Sequence, residues 1–144
     1  MTSRKAPPNH VEQLRNKRAR LLQAYVLHVG LFASTCASAA ADASQVNVAM
    51  WLWPTLITAV PVLVYTILVH RAIRAVDPGA PSVGFREVIV STVLLTPLES
   101  SLYLPARNLW VATTVLRAWD AARTRAHWRL NLLRCKSAFS FSPR

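Results

Sequence analysis

Between Arg20 and Arg71 the chain carries one formal charge, Asp42, which divides an apolar run into residues 21–41 and 43–70. A helix rises about 1.5 Å per residue and the hydrocarbon core of a bilayer is about 30 Å thick, so roughly 20 apolar residues suffice to cross it. Both stretches meet that length. They predict transmembrane helices over 21–41 and 43–70, joined by a short turn at Asp42.

A third apolar run, 88–106, is punctuated by Pro97, Glu99 and Pro105, and helices break at interior prolines. It predicts a re-entrant hairpin bent near residues 97–101, with a third span as the alternative. Irregular backbone at membrane depth must be buried in protein or line a wet cavity, so the hairpin requires protein neighbours. Residues 107–135 then read as a basic amphipathic helix. Trp110, Val111, Thr114, Ala118, Ala121 and Ala122 fall near one face, and Arg117, Asp120, Arg123 and Arg125 supply charge. With Trp119 and Trp128 as interfacial anchors, such a helix is expected to lie in the headgroup plane and attract anionic lipid. The expected fold is a single all-α membrane domain, with a basic segment at 1–20 and a short tail at 136–144.

Composition supports this reading and charge gives it a direction. The 144 residues are 53% hydrophobic, yet carry a formal net charge of +11 from 17 basic and 6 acidic side chains. A soluble chain of this size would have to hide both apolar runs in a very small core. Lys and Arg accumulate on the side that is not crossed during insertion. Arg4, Lys5, Arg15, Lys17, Arg18 and Arg20 precede the first run, only Asp42 lies between the two, and Arg71, Arg74 and Arg86 follow the second. The N-terminus and Arg71 are therefore expected inside and Asp42 outside. A full third span would carry the basic tail outside against this rule, and a hairpin returns it inside.

Local signals refine the helices. Asn9 and Glu12 have the spacing of a helix cap and its reciprocal acid, placing the first helix near His10, with its opening turns in water. Gly30, Ala33, Ser34, Ala37, Ser38 and Ala41 recur at intervals of three and four, a small-residue face on which another helix can approach closely. The basic leader, apolar run and Ala37-Ser38-Ala39 also resemble a secretory signal. An uncleaved anchor is expected instead, and Cys36, preceded by Ala33, Ser34 and Thr35, lacks the Leu that opens a lipobox. In the second helix Trp51, Trp53, Tyr65, His70, Arg71 and Arg74 are interfacial anchors. Pro54 fits a first turn and Pro61 a kink.

No catalytic motif is present, so neither an enzymatic role nor a small-molecule substrate is expected. His28 and His70 differ in depth by about 10 Å of helical rise, too much for this chain alone to hold a haem. Cys36 and Cys135 fall on opposite sides and no ligand spacing accompanies them, so no metal or other cofactor is expected. Glu99 is the one acid at membrane depth, and Arg107 is its expected partner across the hairpin. Arg15, Arg18, Arg20, Arg71, Arg74, Arg107 and Arg117, with Trp110, converge on the inner headgroup layer and form a candidate site for a lipid such as cardiolipin. Nucleic acid is not expected as a partner, because the basic clusters flank apolar segments and no nucleic-acid-binding motif accompanies them.

These features suit a non-catalytic accessory subunit of a large energy-transducing membrane complex, a respiratory chain complex or an ATP synthase, with other membrane subunits as partners. The alternatives are a transporter or channel component using Glu99, and an assembly factor. Arg outnumbers Lys 14 to 3 and the first 35 residues hold one acid, as in mitochondrial import signals. The mitochondrial inner membrane with the N-terminus in the matrix is expected, and a bacterial inner membrane is the alternative.

This topology predicts the outcome of labelling with impermeant thiol reagents. Cys135 should react from the side of the N-terminus, and a cysteine replacing Asp42 from the other. Reaction of both from one side would make residues 88–106 a full span.

Overall fold

The computed structural model describes residues 8–41, 48–94 and 97–139. Arg4, Lys5, the Asp42 turn and the tail from 140 lie outside the described residues. Four helices follow one another, α1 (Pro8–Ala41), α2 (Val48–Val76), α3 (Phe85–Leu94) and α4 (Pro97–Phe139), with no strand among the described residues. Two of them, over Asn9–Ala41 and Trp53–Val76, are long and apolar enough to cross a membrane. α1 starts two residues before the expected His10, and α2 continues through both Pro54 and Pro61.

Cross-contacts fix the helix directions. Along α1, Arg15, Arg18, Tyr25 and His28 meet Asp120, Thr113, Leu102 and Ser101 of α4 in reverse order, so these helices are antiparallel. His28 also meets Thr58 of α2, while Asn108 of α4 meets Thr66, so α2 runs parallel to α4 and antiparallel to α1. Val83 contacts Asn108, and Val88 clusters with Leu104. α3 is therefore antiparallel to the start of α4, and the chain reverses between Leu94 and Pro97. The run 88–106 is thus divided between two helices.

Two expectations are corrected. Residues 107–135 are not a separate helix. They continue α4 through the buried Pro105, and as far as Asp120 they run beside α1. Proline removes one N–H and one intrahelical bond, and here packing on both sides keeps the helix going. The packed face also differs from the expected one. Ser101, Leu104, Asn108, Val111, Ala112 and Leu116 are buried, whereas Trp110, Thr114, Ala118, Ala121 and Ala122 are exposed. Nor do the first turns of α1 stand wholly in water, because Val11 and Leu14 pack with Ile73, Val111, Ala112 and Leu116 in the main apolar cluster. α4 extends far enough past Arg20 to cover them.

The linker 77–84 joins α2 to α3. Asp77 accepts the Gly79 N–H at 3.0 Å in a local turn, and Arg74 donates to the Pro78 carbonyl. The Gly84 N–H donates to the Glu87 carboxylate at 2.9 Å. This one half of a capping box opens α3. Gly84 lies against His70, so a Cβ there would come within 3.1 Å of its Nε2. Val83 is fully buried, and its N–H and carbonyl pair with Oδ1 and Nδ2 of Asn108 at 2.7 and 3.0 Å. The same Nδ2 donates to the Thr66 carbonyl at 3.0 Å. One amide thus ties α2, the linker and α4 together.

Asn108→Leu leaves the buried Val83 N–H without its partner, at about 1–3 kcal/mol for such a group, and weakens two carbonyl contacts. The variant should lower the thermal unfolding midpoint in detergent and open the linker to proteolysis. A stability loss confined to the usual range of a surface substitution, within about 0.5 kcal/mol, would show that the clamp is not needed.

Candidate functional site

The bundle buries polar side chains and exposes apolar ones. His28, Thr55, Thr66, Ser82, Ser100, Ser101 and Asn108 are buried, while Leu22, Val26, Leu27, Ile57, Val60, Val64, Ile89, Val90, Val93 and Leu94 are exposed. The interior also holds the apolar cluster that includes Leu14, Leu21, Val62, Val69 and Ile73, so the departure from a water-soluble fold lies in the apolar side chains exposed outside it.

At the centre His28 is completely buried, with Nδ1 2.9 Å from the Thr58 hydroxyl and Nε2 2.7 Å from the Ser101 hydroxyl. Each hydroxyl also reaches a carbonyl of its own helix, Thr58 those of Pro54 and Thr55, and Ser101 that of Leu98. The ring therefore joins three helices. One turn earlier on α1, Tyr25 donates to the Leu102 carbonyl at 2.9 Å. A second polar group, His70 with Ser82 at 2.9 Å, lies beside the Asn108 clamp. Thr58 and His70 are separated by about 18 Å of rise along α2, so the two histidines serve different levels. Among the described residues no group of three or more His, Cys, Asp or Glu is arranged to hold a metal.

The basic residues divide into separate places. Arg15, Arg18 and Arg117 line one open pocket with Thr113, Leu116 and Asp120 between α1 and α4. Arg15 pairs with Asp120 at 2.7 Å, and the Nε of Arg18 donates to the Thr113 hydroxyl at 3.0 Å. Trp110 lines a different, largely apolar cleft, formed by Asp77 and residues 79–81 with Val111, Thr114, Val115 and Ala118. Arg20, Arg71, Arg74 and Arg107 are exposed and line neither pocket. Glu99 and Arg107 lie on the same continuous helix, about 12 Å of rise apart, so α4 does not bring them together as two arms of a bend would. Glu99 is exposed two residues before Ser101, level with His28.

The small-residue face of α1 is turned away from the bundle. Gly30, Ala33, Ser34, Ala37 and Ala41 are exposed, and a Cβ at Gly30 would have no atom within 4 Å. Ser34 bonds back to the Gly30 carbonyl at 2.9 Å. Ser38 of the same face is half-buried.

Sequence reasoning named no partner for His28, and missed its contacts with Thr58 and Ser101 as well as the roles of Tyr25, Thr113 and Asn108. The available signal was the polar residues inside otherwise apolar runs, which in a bundle interior must find partners. Comparison with known protein families, characterised proteins and solved structures finds no match to this chain.

The His28 contacts predict a modest energetic coupling. Hydrogen bonds between helices in a bilayer average about 0.6 kcal/mol and reach about 1.7, because the separated helices also find partners. A double-mutant cycle of His28→Ala and Ser101→Ala, read by unfolding in mixed micelles, should give a coupling in that range. Additive effects would mean that the contact contributes only packing.

Proposed function

We propose that the chain is an integral membrane subunit that crosses the bilayer with α1 and α2 and dips into it from the basic side with the hairpin of α3 and α4. It acts without catalysis, holding neighbouring subunits and anionic lipid in a large energy-transducing complex. The observation that carries this reading is the band of apolar side chains exposed on helices of spanning length, around an interior that holds hydrogen-bonded polar groups among its apolar ones. Only 6% of the apolar window of α1 is buried, unlike the core helix of a soluble protein. A discarded signal segment would not supply the side chains that bond α2 and α4, as His28, Tyr25 and Arg18 do.

Depth supports the hairpin. Ser101 is level with His28, and α4 begins four residues earlier, so the reversal between Leu94 and Pro97 falls near the middle of α1's apolar run. A carboxylate exposed at that level, Glu99, requires water or protein beside it. The exposed small residues of α1, Gly30, Ala33, Ser34, Ala37 and Ala41, offer a neighbouring helix close approach. The proposed host is a respiratory complex or ATP synthase of the mitochondrial inner membrane, with the N-terminus in the matrix. Support for that location is the Arg-rich, acid-poor beginning of the chain, and a bacterial inner membrane fits the same topology.

The exposure of Glu99 also favours a second reading, a channel or transporter component completed by partners. Affinity purification from native membranes in mild detergent tests both. An accessory subunit comigrates stoichiometrically with a large complex, and Glu99→Gln leaves assembly and ion flux intact. Loss of flux in fully assembled Glu99→Gln complex would establish the second reading, and migration as an isolated chain would refute the first.

A further inference from the structure

The pocket between α1 and α4 places three guanidinium groups, Arg15, Arg18 and Arg117, against one carboxylate, Asp120. That carboxylate is already paired to Arg15 at 2.7 Å. Arg18 is half-buried and held by its Nε, which donates to Thr113 Oγ1, while the Thr113 hydroxyl donates to the Leu109 carbonyl at 2.7 Å. This arrangement anchors the guanidinium by its Nε and, among the described residues, leaves its two terminal nitrogens without a hydrogen bond. Arg117 is exposed and, among the described residues, has no anionic partner.

Two guanidinium groups with uncommitted terminal donors are suited to a phosphate, whose oxygens accept forked hydrogen bonds. Depth selects the source. Leu21, buried in the apolar cluster, opens the apolar run of α1, and Arg18 and Arg15 stand about 4.5 and 9 Å of rise outside it. The headgroup layer extends roughly 5–8 Å beyond the hydrocarbon core. Leu116 adds an apolar wall to the same pocket.

We propose that this pocket is a binding site for the phosphodiester headgroup of an anionic lipid, with Arg18 and Arg117 as its ligands and Arg15 as the charge that Asp120 holds in place. The proposal rests on the membrane placement above and narrows the broad set of basic residues to one site. Trp110 and the apolar cleft lie on the other side of α4 and take no part.

The full chain, reconstituted in phosphatidylcholine nanodiscs doped with phosphatidylglycerol and then released into mild detergent, tests the site by native mass spectrometry. Wild type should retain phosphatidylglycerol. Arg18→Gln with Arg117→Gln should weaken retention roughly thirtyfold, as expected for two charges removed at an anionic surface. The charge-matched control Arg86→Gln with Arg125→Gln should retain it as wild type does. Arg117→Gln alone, which disturbs no internal bond, should give a smaller loss of the same sign.

Equal losses in control and test variants would overturn the site in favour of a diffuse surface potential. Saturable quenching of tryptophan fluorescence by inorganic phosphate in pure phosphatidylcholine discs, abolished by the Arg18 and Arg117 changes, would assign the pocket to a soluble anion and overturn the lipid proposal. Extraction of the wild-type chain from native membranes by alkaline carbonate would refute the membrane placement itself, whereas unchanged lipid retention in a carbonate-resistant variant refutes only the site.

Discussion

A stretch of chain that leaves the helix in a buried place must find partners for its backbone N–H and carbonyl groups. At Val83 one side chain, Asn108, supplies both partners and also reaches the Thr66 carbonyl. The remaining geometry follows from this contact. It fixes the linker against α2 and α4, sets the level at which α3 begins, and aligns α4 parallel to α2. With α4 held there, its lower half lies along α1, where Arg18 meets Thr113 and Arg15 meets Asp120.

The polar groups of the bundle are satisfied economically. Hydroxyl groups of the buried Thr66, the half-buried Thr92 and Thr113 and the exposed Thr114 bond to carbonyls one turn back on their own helices, a local satisfaction that requires no water. Polar contacts between helices include those of Arg15, Arg18, Tyr25, His28 and Asn108. In water, such a bundle would leave its apolar face exposed and its polar groups inside. Under the proposed membrane placement the exposed apolar side chains meet lipid, and small and polar residues supply attraction between helices that apolar burial cannot. The proposed membrane placement accounts for both faces of the molecule together.

The long helices were legible because length and absence of charge are one-dimensional properties, and Asp42, Arg20 and Arg71 mark the limits of the apolar runs, beyond which α1 and α2 extend to Pro8 and Val76. The interruption before Pro97 was legible for the same reason. Pro105 misled, since a proline usually ends a helix and Asn108 then reads as the start of the next. Whether packing carries a helix through a proline depends on α1 and α2, which no local pattern reports. The face of α4 that packs was obscured for a related reason. Val111 belongs to both the expected face and the real one, while Trp110 and Thr114 face the opposite side. Of the basic residues, charge and spacing gave a set at one level, but only the antiparallel register of α1 and α4 shows that Arg15, Arg18 and Arg117 share a pocket.

The depth of the hairpin is the most direct measure of the proposed placement. Val93, near the end of α3, has 79% of its surface exposed, so a nitroxide there should not disturb packing. Power-saturation electron paramagnetic resonance in lipid bilayers, comparing dissolved oxygen with a water-soluble nickel complex, reports whether the label lies in hydrocarbon or in water. The account predicts strong relaxation by oxygen, weak relaxation by nickel, and a depth near the middle of the hydrocarbon core. Strong relaxation by nickel would place the hairpin in water and contradict it.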